Sequence, residues 1–191
     1  LMLKVPFVDD YLLAKVKEKI VATFGDNLQE LIIGGAALNK DVESFLRRIE
    51  FPYTVGYGMT ECAPLISYSH WKEYKETSVG KILPNMEVKI ASKDPFKEIG
   101  EILLRGENVM AGYYKNEEAT ADAIDNEGWL HTGDMGYIDQ DYNIYIRGRN
   151  KSMLLGANGQ NIYPEEIEAK LNNMPYVAES VVVQNKASKL I

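Results

Sequence analysis

Residues 30–57 place the tightest constraint on what this chain can fold into. Glu30-Leu31-Ile32-Ile33 is a short apolar run that stops at Gly34-Gly35-Ala36-Ala37. Asn39 can then cap an amphipathic helix with Val42, Phe45, Leu46 and Ile49 inside, and Phe51-Pro52 opens a strand over Tyr53 to Tyr57. Strand, glycine turn, helix, strand is the order of a parallel α/β sheet, because parallel neighbours need a crossover. Ligands of such sheets lie outside the carboxyl ends of the strands, and the turns Gly34-Gly35 and Gly56-Tyr57-Gly58 both fall at such ends. Upstream, Asp9 or Asp10 can cap a helix with Leu12, Leu13, Val16, Ile20, Val21 and Phe24 at helical spacing, ended by Gly25.

From about Ser78 the texture changes. Val79 to Leu83, Met86 to Ile90 and Glu101 to Arg105 read as short strands, with no helix until Asn116 to Ile124. Met135 to Asp139 and Asn143 to Arg147 alternate around Gln140-Asp141-Tyr142, which signals a hairpin. After Gly148-Arg149 a new unit begins: a strand over Lys151 to Leu155, a tight turn at Gly156-Ala157-Asn158-Gly159, a helix over Pro164 to Asn172 and a β-branched strand over Ala178 to Gln184. The expected class is α/β, in three parts. Residues 1–77 end a parallel α/β sheet subdomain, 78–148 form a small antiparallel β subdomain, and 149–191 start a small α+β carboxy-terminal domain that the chain does not finish.

Composition removes several function classes. A net charge of −7, with no long basic run, argues against a nucleic-acid partner. A single cysteine, Cys62, forbids an internal disulfide and, with two histidines, leaves too few ligands for a structural zinc. No apolar run approaches the roughly 18 residues of a membrane span, and the first twenty residues read as a charged amphipathic helix rather than a leader. The expected setting is reducing and cytoplasmic. The start, Leu1-Met2-Leu3-Lys4, reads as internal to something longer.

Two stretches carry chemistry. Gly128-Trp129-Leu130-His131-Thr132-Gly133-Asp134 holds an aspartate on a glycine-flanked turn, and Arg149 closes a later strand; together they can grip a sugar's hydroxyls, or be ordinary turn residues. Gly56-Tyr57-Gly58-Met59-Thr60-Glu61 lacks the third glycine of a dinucleotide fingerprint, and Glu61 in its place would repel a pyrophosphate unless a cation lay between. It offers an aromatic face at Tyr57, a hydroxyl at Thr60 and a hard carboxylate at Glu61 for magnesium, against the alternative of a strand end with a glycine turn. No Walker sequence is present. Cys62 reads as a buried thiol, His131 as a structural hydrogen-bonding group, Asp139 and Asp141 as turn residues, and Glu165, Glu166 and Glu168 as a first-turn charge cluster.

Set in order, Tyr57 to Glu61, Gly100-Glu101-Ile102 with Gly112-Tyr113, Trp129 to Asp134, and Gly148-Arg149-x-Lys151 through Pro164-Glu165-Glu166-Ile167-Glu168 resemble the adenylate-forming superfamily. That group holds the acyl-CoA synthetases, the peptide-synthetase adenylation domains and firefly luciferase. Tyr-Gly-Met-Thr-Glu and the aliphatic Met153-Leu154-Leu155 are most similar to the long-chain fatty acid CoA ligases. The resemblance implies ATP (leaving AMP), Mg2+, CoA and a fatty acid as ligands, with an acyl-adenylate formed first and its acyl group then passed to CoA. Peripheral membrane contact is compatible with such a substrate. By the same resemblance Gly35 and Ala36 line the adenine and acyl pocket, with Gly56 and Gly58 flanking Tyr57. Tyr57 stacks on adenine, Thr60 meets the phosphate and Glu61 binds magnesium. Asp134 takes the ribose hydroxyls with support from Arg149, Lys151 is the hinge of the carboxy-terminal domain, and Gly159 belongs to a loop facing the pantetheine channel.

The family's upstream phosphate loop and its carboxy-terminal lysine have no counterpart here. Ser152 stands where an acidic residue is common, and the Gly156 to Gly159 loop is slightly long. The expectation is a fragment with little or no ligase activity by itself and a tendency to self-associate. An adenylation domain loading a carrier protein and a nucleotide-binding module without ligase activity are the alternatives.

Overall fold

Helix α1 (Val8–Thr23) ends at Gly25, whose φ of +91° is the left-handed backbone that closes helices. This computed structural model describes residues 8–25, 27–156 and 159–184. Asp9 and Asp10 stand inside the first turn of α1 rather than before it, which corrects the expected cap. Its apolar stripe is only partly used. Leu13, Ile20 and Val21 pack on the first core, whereas Leu12 and Val16 are exposed and Phe24 meets only the edge of Phe51, ring centroids 6.2 Å apart. The sheet beneath has two strands and is too narrow to cover the rest.

That sheet consists of β1 (Leu31–Ile33) and, across helix α2 (Lys40–Arg48), the strand β2 (Tyr53–Val55), paired in parallel with Leu31 opposite Tyr53. Asn39 caps α2 as expected, its side-chain oxygen accepting the amides of Asp41 at 2.9 Å and Val42 at 3.2 Å. The helix is rotated from the expected face. Leu46 and Ile49 point inward, but Val42 and Phe45 are exposed, and Glu43 is buried in the interior. Its carboxylate accepts the Tyr74 hydroxyl at 2.6 Å and the Thr77 amide at 2.9 Å, so the buried charge is met by donors.

The strand expected over Tyr53 to Tyr57 is cut at Gly56. Beyond it β3 (Tyr57–Gly58) runs antiparallel to β4 (Leu65–Tyr68), a strand the sequence reading did not place, with a 3-10 turn over Thr60–Cys62 between them. β5 (Lys81–Ile82) completes this sheet; it is shorter than Val79 to Leu83, the Val79 amide donating outside the sheet to Ile144 while Leu83 still donates to Ile66 of β4. Next come β6 (Met86–Ala91), β7 (Gly100–Gly106), helix α3 (Glu117–Ala123), β8 (Leu130–Ile138) and β9 (Ile144–Arg149), the four strands forming one antiparallel sheet in the order β6-β7-β8-β9. Ile66, Ile102, Leu104, Leu130 and Ile144, with Cys62, fill the core under both antiparallel sheets.

After β9, a 3-10 turn over Asn150–Ser152 replaces the start of the strand expected from Lys151. Only β10 (Leu154–Leu155) is extended, paired with β11 (Asn161–Ile162) around the Gly156 to Gly159 loop; residues 157–158 lie outside the described residues. Helix α4 (Pro164–Asn172) opens on proline as expected. Ala178 to Gln184 forms no strand; it reaches an isolated β-bridge only at Gln184, whose Nε2 donates to the Leu155 carbonyl of β10 at 2.9 Å. Val182 is buried instead, its amide donating to Glu168 at 2.7 Å.

Candidate functional site

Parallel pairing of β1 and β2 sets their carboxyl ends side by side, and both ends are glycine. The Gly56 amide donates to the Ile33 carbonyl at 2.9 Å, and a Cβ on Gly34 would stand 3.3 Å from the Gly56 carbonyl oxygen. Gly35, at φ +87°, and Ala36 are exposed beside this crossing. The result is an open shelf of backbone that a flat group could approach closely. Gly58 answers to a different need: a Cβ there would fall 2.4 Å from the Pro64 carbonyl oxygen, so β3 and β4 can cross only at glycine.

Asp134 does not sit on a turn, as its glycine neighbours suggested, but inside β8. Glu101 and Leu103 of β7 face Met135 and His131 of β8, so Thr132, Gly133 and Asp134 bulge opposite the single residue Ile102. The bulge is held from both sides. Thr132 donates its hydroxyl to the Ile102 carbonyl at 2.7 Å and accepts the Asp134 amide at 3.0 Å, while Gly133, at φ +72°, donates its amide to Glu101 at 3.0 Å. His131 Nδ1 lies 3.0 Å from the other Glu101 oxygen, the structural role expected of it.

The bulge aims a buried carboxylate at two donors. Asp134 is 6% exposed; its Oδ2 accepts the Tyr57 hydroxyl at 2.5 Å and its Oδ1 accepts Arg149 Nε at 3.1 Å. Asp134 and Arg149 are direct partners across β8 and β9, which is why fifteen residues of separation close to one contact. Burial, and then the Asp134 charge, push the Tyr57 hydroxyl far up from its ordinary value, so it stays a donor. Its ring lies in the main core. Each Asp134 oxygen keeps a further lone pair, and the arginine is largely exposed, so the group can accept hydroxyl donors of a ligand.

Thr60 is exposed and Glu61 half-buried on the 3-10 turn that follows β3. Glu61 Oε1 accepts the Tyr113 hydroxyl at 2.8 Å, and the Glu61 carbonyl accepts the Met110 amide at 2.8 Å. Beside them Cys62 is fully buried, and burial, then the Glu61 charge, push its thiol up to about 11, which makes it inert as a nucleophile. Lys151 and Gly159 are exposed on the segment after Arg149, and no bond among the described residues ties them to Asp134. Sequence reasoning missed Thr132 and Glu101 as builders of the bulge. Their signal was Gly133 interrupting an otherwise strand-like run.

Comparison with known proteins gives the family of the chain. A family model described as "AMP-binding enzyme" matches residues 1–114. The chain is 37% identical to 4-coumarate:CoA ligase 1 of Petunia hybrida over 95% of its own length and 36% of that protein's. It is 34% identical to a long-chain-fatty-acid–CoA ligase of Mycobacterium bovis, over 88% of its length and 27% of the relative's. The chain therefore spans about a third of the proteins it resembles. Among solved structures it superposes on o-succinylbenzoate CoA synthetase from Bacillus subtilis in complex with the acyl-adenylate intermediate, with a TM-score of 0.78 at 30% identity, covering 93% of this chain and 38% of that one. The same synthetase in complex with ATP and magnesium ion matches at a TM-score of 0.73 and 31% identity, over 88% of this chain and 38% of that one.

Proposed function

This chain belongs to the AMP-binding enzyme family, within the adenylate-forming superfamily, and from that premise we propose that it supplies the nucleoside-holding part of an ATP-dependent acid–CoA ligase. The observation that carries the reading is the Tyr57–Asp134–Arg149 arrangement, a buried carboxylate held by two donors and partly open to a ligand's hydroxyls. Asp134 would accept the two ribose hydroxyls, and Arg149 would fix its orientation and balance its charge. Tyr57 adjoins the Gly34–Gly56 shelf, so its ring would bound an adenine slot whose other wall is the backbone of Gly35 and Ala36.

Thr60 and Glu61 come next along the chain, where the phosphates of such a nucleotide would run. Among the described residues no three His, Cys, Asp or Glu side chains are grouped so as to hold a metal ion. A dedicated cation cage is therefore not built here, but one carboxylate with nucleotide phosphates and water is a common way to hold Mg2+. Glu61 fits that set, since among the described residues only one of its oxygens takes a side-chain donor. When bound, the cation would offset negative charge on the phosphate oxygens. The chain's own residues hold and orient: Thr60 donates a hydroxyl toward a phosphate oxygen, and Asp134 fixes the nucleoside. Lys151 follows the last ordered strand of the sheet and is read as the pivot of the carboxy-terminal part, with Gly159 on its CoA-facing loop.

For the acid we propose a fatty acid, supported by the Tyr-Gly-Met-Thr-Glu wording and by the mycobacterial relative. The plant relatives, named for 4-coumarate, favour a second reading in which the acid is a hydroxycinnamate. A pyrophosphate-release screen of the complete protein over fatty acids of graded length and hydroxycinnamates, with and without CoA, tests both. Release with a fatty acid and thioester formation with free CoA are expected. Preference for the aromatic acids would move the substrate to the second reading, and release with no acid would remove the ligase reading altogether.

A further inference from the structure

One motif is left without a task by the proposed function: Gly112-Tyr113, with the helix that follows. The chain builds it with care. The Tyr113 amide donates to Thr120 Oγ1 at 2.9 Å, and Asn116 caps α3 by accepting the Ala119 amide at 3.0 Å. Gly112, at φ +145°, is required, because a Cβ there would fall 2.7 Å from Thr120 Cγ2 and 2.9 Å from Thr120 Oγ1. These contacts fix the backbone of a tyrosine whose side chain is 40% exposed. Burial of the ring is not what they secure. Its hydroxyl reaches Glu61 Oε1, and three residues earlier the Met110 amide holds the Glu61 carbonyl, so the same loop grips Glu61 by main chain and side chain. Tyr114, next along, is 87% exposed, with the Lys115 ammonium over its ring.

We propose that Tyr113 is a positioning residue for cation binding, its hydroxyl holding one oxygen of Glu61 so that the other faces the metal and the nucleotide phosphates. This rests on the reading of Glu61 as the magnesium-facing carboxylate. A glutamate carboxylate on three free torsions must be ordered by the metal when it binds; one already held by a donor is ordered beforehand, which is how outer partners raise metal affinity.

The test is divalent-cation affinity in the complete protein with α,β-methylene-ATP, read from the free Mn2+ signal in electron paramagnetic resonance. Tyr113→Phe removes one exposed oxygen and is expected to weaken Mn2+ binding roughly 10-fold. Affinity for the nucleotide without divalent cation, and the effect of Tyr114→Phe, should stay at the wild-type level. Glu61→Gln should weaken the metal at least as much, and adding Tyr113→Phe to it should cost nothing further. Wild-type Mn2+ affinity in Tyr113→Phe, alongside a weakened Glu61→Gln, overturns the positioning role alone. Unchanged affinity in Glu61→Gln overturns the assignment of Glu61 beneath it.

Discussion

Asp134 shows how a buried charge is made tolerable and useful at once. Removing a carboxylate from water is costly unless donors replace it, and Tyr57 and Arg149 do so at 2.5 and 3.1 Å. The pairing leaves lone pairs for a ligand, so the group that stabilises the site is also the one proposed to read the nucleoside. Asp134→Ala would remove a charged acceptor from the ribose, where a hydrogen bond to a charged group is worth about 1.5–3 kcal/mol. AMP affinity of the chain by calorimetry should fall roughly 10- to 100-fold. Equal affinity in wild type and variant would sink the ribose assignment.

Among the elements, the β8–β9 hairpin is clamped by its own turn. Asp139 Oδ1 accepts the amides of Asp141 and Asn143 at 2.9 Å each, and Lys75 reaches Asp139 at 2.9 Å and Asp141 at 2.6 Å from outside the hairpin. The expected turn residues are therefore also a clasp between the sheet and the segment after β4. Burial by itself raises the Asp139 carboxyl, but hydrogen bonds from Lys75, Asn143 and Asp141 outweigh it and hold it down to about 2. A depressed folded-state value stabilises the fold above the unfolded value of about 3.9. That stabilisation is lost as the pH falls through about 2. Thermal unfolding should show Asp139→Asn less stable than wild type at pH 5, with the gap narrowing between pH 4 and pH 2. A gap independent of pH would mean that the clasp works by shape and not by charge.

At the scale of the whole molecule, the two-stranded parallel sheet is the exposed feature. Parallel sheets are ordinarily covered on both faces, yet Ile32 of β1 is 56% exposed, and Leu12, Val16, Val42 and Phe45 add apolar surface on α1 and α2. Among the described residues no helix is long and apolar enough to cross a membrane, so this surface belongs to no spanning segment. The expectation for the isolated chain is association through this side. Light scattering at roughly 50 µM should give a mass above the 21.5 kDa of one copy, falling on dilution or on Ile32→Lys. A monomer throughout that range would show that the open face is tolerated.

The sequence by itself determined much of the order of elements and several local contacts: the crossover over residues 30–57, the cap at Asn39, the turn at Asp139, and Asp134 with Arg149 as partners. These were legible because local chemistry dictates them: side-chain oxygens fit helix starts, glycine fits left-handed backbone, and alternation fits a half-buried strand. Which face α2 buries, where the strand after Phe51 breaks, and whether Ala178 to Gln184 forms a strand were decided only by the tertiary structure. In each case a partner distant in sequence supplied the deciding contact: Tyr74 draws Glu43 inward, β4 captures Tyr57, and Glu168 takes the Val182 amide of the last run. Asp134 combines both kinds of information. Its chemistry was readable in advance, but its aim depends on a bulge that exists only because β7 presents Ile102 and Glu101 across from it.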